Sequence, residues 1–474
     1  MLNTENAHTI QAATELLIRY YAGMEQRSVK PIIEPQSILH SLPVHPPADG
    51  EDFFDMLKDV EDKILPGLTH WQHPGFMALF PSNASLPSLL GEYLAAGLAI
   101  NSMMWDTSPA AAELEQRMVD WLRELCGLPE SFEGVIQDTA STGTLTAIIA
   151  AREKALKYSG NTEGLFGRQR LILYTSNQAH YSVEKGAKAA GIGSENVRKI
   201  ATNEAMEMDV HALELAVNAD LEKGYLPFMV VATLGTTSSL AFDPLAPIAQ
   251  VCQQHNMWLH VDAAYAGNAF ILPEYRHYLA GVEHADSYLF NPHKWLFTHF
   301  DCSIFYVRDV LHLTNTFSAN PEYLRASFTD NIRNYKDWGL PLGRRFRSLK
   351  LWLVMRWYGQ KGLQDKIEKH IALARLLRQL LESKPYWQLA TPPAMNVLTI
   401  RFIPAGNPSP EAIDGINREL LAAINADGRF YLSGTVINGR FVIRIVPAQT
   451  EVEEKHIFDL YELMEKCALL LMQH

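Results

Sequence analysis

The stretch Trp258-Leu259-His260-Val261-Asp262, followed later by Ser287-Tyr288-Leu289-Phe290-Asn291, decides the fold class. Each is a short apolar run that ends on a polar residue. Outward from them the same pattern recurs. Strands are predicted at 134–137, 170–174, 228–233 and 303–307, beside 258–261 and 287–290. Helical patterns fall between several of them, at 142–157 and 182–190. Strand and helix alternating at this spacing predict a mostly parallel α/β sheet. Such sheets bind ligands beyond the carboxyl ends of their strands. Thr139, Asp262 and Asn291 each follow a strand and are expected on that rim.

Flanking units complete the chain. Residues 1–80 read as a helical N-terminal segment with Pro-rich breaks, such as Leu42-Pro43-Val44-His45-Pro46-Pro47. A segment this open is expected to lie across another surface. Residues 81–345 form the large unit. Residues 346–474 read as a small α+β unit, with helices at 347–358 and 363–382 and strands at 397–402 and 441–446.

Composition narrows the function. The chain has 474 residues, 47% of them apolar, with a formal net charge of −12. It can bury a large core, and it repels polyphosphates on average, which argues against a nucleic-acid partner. The four cysteines stand far apart, with neither metal-ligand spacing nor a disulfide framework, so no metal is expected. No secretory signal and no membrane-length apolar run is visible. A soluble, cytoplasmic protein is expected, with no membrane partner. The dense basic run Gly343-Arg344-Arg345-Phe346-Arg347 reads as a solvated helix start or an ion-pair network, or as a site for one phosphate.

Four positions carry chemistry. Lys294 follows a buried strand, where desolvation favours the neutral, nucleophilic amine; a lysine snorkelling from a strand end fits equally. Asp262 ends an apolar strand, where a carboxylate needs a partner. A cationic pyridinium would suit it, and so would a plain turn. Asp138-Thr139-Ala140-Ser141-Thr142-Gly143 opens a helix and offers amides to a phosphate, though simple capping gives the same composition. His180 precedes another helix and could stack on a ring or donate to a carboxylate.

Together these motifs resemble a known family. Gln178-Ala179-His180, Thr233-Leu234-Gly235-Thr236-Thr237, His260-Val261-Asp262-Ala263-Ala264-Tyr265, Asn291-Pro292-His293-Lys294-Trp295, Phe300-Asp301-Cys302-Ser303 and Pro341-Leu342-Gly343-Arg344-Arg345 occur in order. The series is similar to the group II pyridoxal-phosphate (PLP) decarboxylases, and among them to the aromatic-L-amino-acid decarboxylases. The resemblance implies fold type I (aspartate-aminotransferase-like): a mostly parallel seven-stranded sheet in the large domain and a small α+β C-terminal domain. It also implies a homodimer with shared active sites, the N-terminal segment wrapping the partner.

Residue roles follow from the same resemblance. Lys294 holds PLP as a Schiff base and Asp262 pairs with its ring nitrogen. His180 covers one ring face and Ala264 the other. Thr139, Ala140, Ser141, Ser287 and Asn291 hold the phosphate, and Thr237 and His293 line the site. Tyr323 is the proton donor on a loop at 313–334; related aldehyde synthases carry phenylalanine there. Gly343 leaves space for a large ring, where the histidine-specific branch has serine. Trp71, Phe80 and Pro81 match apolar pocket positions. Leu79 and Met103 depart from the animal pattern of tyrosine and phenylalanine. The implied reaction is decarboxylation of dopa, 5-hydroxytryptophan, tryptophan, tyrosine or phenylalanine. A non-aromatic substrate such as glutamate or diaminobutyrate, or a catalytically silent binding homologue, are the rival readings.

Overall fold

The computed structural model describes residues 3, 6–318, 332–406 and 408–472. Two compact units emerge. One gathers Met1–Pro81, Leu373–Gln388 and Ile400–His474; the other holds Ser82–Ala372 and Leu389–Thr399.

Seven strands form the sheet of the second unit: β1 (Glu133–Gln137), β2 (Leu171–Ser176), β3 (Val197–Ile200), β4 (Leu226–Thr233), β5 (Trp258–Asp262), β6 (Ser287–Phe290) and β7 (Ser303–Val307). Their order is β1-β7-β6-β5-β4-β2-β3. Strands β3, β2, β4, β5 and β6 pair in parallel. Strand β7 runs against both its neighbours, β6 and β1. The strands β2 and β5–β7 are buried along their whole length. Burial on both faces explains why they read as continuous apolar runs. The least buried is the edge strand β3, whose two central residues are Arg198 and Lys199.

One face of this sheet carries the main core. Val135, Leu173, Met229, Val231, Trp258, Leu289, Phe305 and Val307 pack there with Ala147, Ile148 and Ala151 of the helix Ala140–Ala155. Gly143 permits the close approach. A Cβ there would stand 3.2 Å from Leu289 Cδ2, tighter than ordinary packing. The first turn of this helix is thereby pressed against the sheet at the ends of its strands.

A smaller sheet has β8 (Trp387–Leu389), β9 (Leu398–Phe402), β10 (Ser433–Ile437) and β11 (Arg440–Ile445), in the order β10-β11-β9-β8. Strands β10 and β11 form a hairpin. Its turn is Asn438-Gly439, both at positive φ, the pair such tight turns favour. The two helices expected at 347–358 and 363–382 lie within Arg347–Glu382, parted by a kink at Gly359, whose φ of 63° and ψ of 176° are not helical. Among the described residues, no helix is long and apolar enough to cross a membrane.

Candidate active site

Parallel strands deliver their ends to one rim. Thr233 on β4 is paired with Asp262 on β5, and Asp262 with Leu289 on β6. The pairing runs on past the strands: Ala263 N–H donates to Leu289 O at 3.0 Å, and Asn291 N–H to Ala264 O at 3.0 Å. Asp262, Ala264 and Asn291 therefore share one ledge.

Asp262 is buried, at 4% exposure. Its Oδ1 accepts the Ala264 N–H at 3.0 Å. Around it the rim holds buried oxygens that no protein group satisfies: Thr233 Oγ1, Asn291 Oδ1 and Ser303 Oγ. Thr233 alternates with the core residues Val231 and Met229, and Ser303 with Phe305 and Val307. They belong to the sheet face that carries the helix Ala140–Ala155. Unpaired buried polar atoms are costly and uncommon. Three at one rim describe a place shaped for a polar ligand.

The helix Ala140–Ala155 starts at that rim. Thr139 caps it, its Oγ1 accepting from Thr142 N–H at 3.4 Å. The amides of Ala140 and Ser141 lie in the first turn, ahead of the helix's own hydrogen-bond ladder. They point, with the positive end of the helix dipole, at whatever anion sits there.

Lys294 follows β6 in the short helix Pro292–Trp295, its N–H donating to Asn291 O at 2.9 Å. His180 lies within electrostatic reach of both Asp262 and Lys294. Burial pulls its imidazole below the ordinary range; Asp262 opposes that shift and Lys294 adds to it. His180 Nδ1 is held by Ser182, whose Oγ lies at 2.8 Å and whose backbone N–H donates at 3.3 Å. A neutral ring so bonded carries its hydrogen on Nε2. His293 is buried, pushed down to about 3 by burial, Lys294 and Lys350. Its Nδ1 accepts the Cys302 N–H at 2.9 Å.

Two expected positions behave differently. Ser287 opens β6 rather than ending it, so it sits opposite His260, below the rim. Its hydroxyl is taken by Trp258 Nε1, at 2.8 Å, and His260 Nδ1, at 2.8 Å. Thr237 lies in an exposed turn beyond β4. Tyr323 lies outside the described residues.

The substrate positions divide between the units. In the first, Trp71 stacks on Phe76 with centroids 4.5 Å apart. Arg444 lies 4.5 Å over the Phe80 ring and donates to Leu79 O at 2.6 Å, and Pro81 is buried. In the second, Asn101 joins the other two. Its Nδ2 is 3.7 Å from Met103 Sδ, and its Oδ1 accepts the Arg344 N–H, next to Gly343, at 2.9 Å. The basic run is an ion-pair network: Arg344 with Glu115 at 2.5 Å, Arg345 with Glu92 at 2.7 Å and Arg347 with Asp301 at 2.9 Å.

The rim suits pyridoxal phosphate by the chemistry of its donors. A buried carboxylate faces where a cationic ring nitrogen would lie, a helix start offers amides for a phosphate, and a lysine stands beside the ledge. Sequence reasoning singled out these three groups. It passed over Thr233, Ser303 and the Trp258–Ser287–His260 contacts, although the alternation Trp258-x-His260-x-Asp262 already put those side chains on one face of β5.

Comparison with known proteins agrees. Residues 35–403 match the pyridoxal-dependent decarboxylase conserved domain. The chain is 41% identical to phenylacetaldehyde synthase of Arabidopsis thaliana, over 97% of this chain and 94% of that protein. It is also 41% identical to tryptophan decarboxylase 2 of Oryza sativa subsp. japonica, over 94% and 90%. The crystal structure of Oryza sativa TDC with PLP and tryptamine superimposes with a TM-score of 0.96 at 36% identity, covering 99% of each chain.

Proposed function

Since the chain belongs to the pyridoxal-dependent decarboxylase family, we propose that it removes the α-carboxylate of an aromatic L-amino acid and releases the amine. Its fold is the α/β fold type I architecture, and its cofactor is pyridoxal phosphate. When bound, that cofactor accepts the electron pair left behind as carbon dioxide departs.

The protein's part is to hold, orient and protonate. Lys294 supplies the amine that anchors the cofactor aldehyde. The Asp262 carboxylate keeps the ring nitrogen protonated. Thr139, Asn291 and the amides of Ala140 and Ser141 bind the phosphate. Ala264 supports one ring face and His180 covers the other. The Nε2–H of His180 would donate to the substrate carboxylate and orient it. Thr237 and His293 line the site. The observation that carries this reading is the buried Asp262 at a rim of unsatisfied oxygens, with His180 sensing both Asp262 and Lys294.

The test is carbon dioxide release by the purified, PLP-loaded protein from dopa, 5-hydroxytryptophan, tryptophan, tyrosine, phenylalanine, glutamate and diaminobutyrate. Preference for glutamate or diaminobutyrate would defeat the aromatic assignment. Lys294→Ala should abolish the reducible violet absorbance; if colour persists, the anchoring role is wrong. A second substrate charge would need a buried partner, and Arg344 and Arg347 are already paired with Glu115 and Asp301. This favours an uncharged side chain.

Likeness to phenylacetaldehyde synthase raises a second reading, an aldehyde product. Tyr323 favours the amine, as the residue that returns a proton to the α-carbon. We also propose a cytoplasmic homodimer with shared sites, residues 1–80 wrapping the partner. The helix Leu86–Leu98 exposes Leu86, Leu90, Tyr93, Leu94 and Leu98, a stripe at helical spacing suited to a second copy.

A further inference from the structure

The helix that carries Lys294, Pro292–Trp295, is a single turn, too brief to hold its own shape. Both neighbours of the lysine are instead fastened to other elements. On one side His293 Nδ1 accepts the Cys302 N–H at 2.9 Å. On the other, Trp295 is buried and lies flat on Tyr265, with ring centroids 4.6 Å apart and planes 2° from parallel. Its Nε1–H donates to His370 Nδ1 at 2.9 Å.

Tyr265 is a fixed platform. Asn268 Nδ2 donates to Tyr265 O at 2.8 Å and to Asn291 O at 3.0 Å, which clips the stretch after β5 to the stretch after β6. Asn396 Nδ2 donates to the Tyr265 hydroxyl oxygen at 2.7 Å. Stacking sets the plane of the indole but tolerates sliding and rotation within that plane. A hydrogen bond is directional, so the contact with His370 sets the rotation. The indole can only donate, so Nδ1 of His370 must be the nitrogen without a hydrogen. His370 is buried and lies in the part of Arg347–Glu382 beyond Gly359, far in sequence from both strands. The proposed function leaves it unused.

We propose that His370 is a positioning residue for Lys294: by fixing the rotation of the Trp295 indole it fixes the one-turn helix, and so aims the lysine amine at the cofactor aldehyde. The inference rests on the anchoring role of Lys294 given above.

Two measurements on the full-length apoprotein separate seating of the cofactor from its attachment. Pyridoxine phosphate, an alcohol where the cofactor has its aldehyde, reports seating alone, by titration calorimetry. Stopped-flow growth of the reducible violet absorbance with pyridoxal phosphate reports attachment, in which the lysine nitrogen joins the aldehyde carbon and water leaves. His370→Leu removes the acceptor. It should slow attachment roughly ten- to hundredfold, the scale for misdirecting a reacting group, and leave the affinity for pyridoxine phosphate within about twofold of wild type. His370→Asn, whose Oδ1 can take the place of Nδ1, should recover most of the rate. Trp295→Phe keeps a ring on Tyr265 but has no N–H. It should be slowed like His370→Leu, and the two changes together should be no slower than either. Wild-type attachment in His370→Leu, a matching loss of pyridoxine phosphate affinity, no recovery in His370→Asn, or an additive loss in the double variant overturns the proposal. If His370→Leu does not fold, Trp295→Phe decides, and attachment at the wild-type rate overturns the proposal. Should Lys294→Ala develop the same reducible absorbance, the anchoring role of Lys294 fails instead.

Discussion

Gly343→Ser tests the substrate assignment without disturbing the fold. A Cβ built on Gly343 meets only Asn101 Nδ2, at 3.7 Å, an ordinary contact. The backbone beside it is tied down: Arg344 N–H donates to Asn101 Oδ1 at 2.9 Å, and Ser102 N–H to Arg344 O at 2.9 Å. Stability should therefore change by no more than about 0.5 kcal/mol, as for an unstrained surface substitution. The added group must instead take space from the substrate. One methylene-sized change in an apolar pocket alters transition-state binding by about 1–3 kcal/mol, or roughly 10–200-fold in kcat/KM. A fused two-ring side chain reaches further than a single ring and should bear most of that loss. The assay is kcat/KM for carbon dioxide release from tryptophan and from phenylalanine, with a thermal scan alongside. Equal losses for both substrates, or none for tryptophan, would remove Gly343 from the pocket. A large fall in melting temperature would show that the contact with Asn101 was misjudged.

Other outcomes are equally specific. Tyr323→Phe should divert much of the product from amine to aldehyde, with hydrogen peroxide released; unchanged amine yield without peroxide would remove the tyrosine from proton return. Glu115→Ala strands Arg344, buried at 8% exposure, and should lower the free energy of denaturant unfolding by about 3–5 kcal/mol. A loss below about 1 kcal/mol would mean that the arginine finds another partner. Burial pushes the imidazoles of His73 and His260 down to about 4 and that of His293 to about 3. Folded values below the ordinary one near 6.5 mean that protonation favours the unfolded chain. Their contribution is full above about pH 6.5 and is lost as pH falls toward 4. Thermal scans of the apoprotein should show the midpoint dropping through that window, with a shallower slope in His73→Gln; a flat profile would refute it.

Much of this architecture can be read from residue order alone. The buried strands announce themselves because both faces need apolar side chains, as at Ser287–Phe290 and Ser303–Val307, found where expected. Edge strands hide for the opposite reason. Val197–Ile200 has a half-buried Arg198 and an exposed Lys199, so its pattern is diluted by solvent. Two helices within Arg347–Glu382 were legible because Gly359 and Gly362 interrupt the pattern; Gly359 leaves helical geometry, and the chain kinks there. At the site, Asp262, Asn291 and Thr139 were legible because each follows a strand. The contact of His260 with Ser287 was not legible, because it comes from a pairing with β6 that only the register reveals.

The reversal of β7 has an electronic consequence. Because that strand alone begins at the ligand rim, it brings an amide there where its neighbours bring carbonyls. Cys302, just before β7, gives that amide to one nitrogen of His293. The neutral imidazole is thereby required to carry its hydrogen on the far nitrogen. A strand laid in the common direction would have met the same ring with an oxygen and selected the opposite form, so the orientation of five residues fixes the chemistry of one heterocycle.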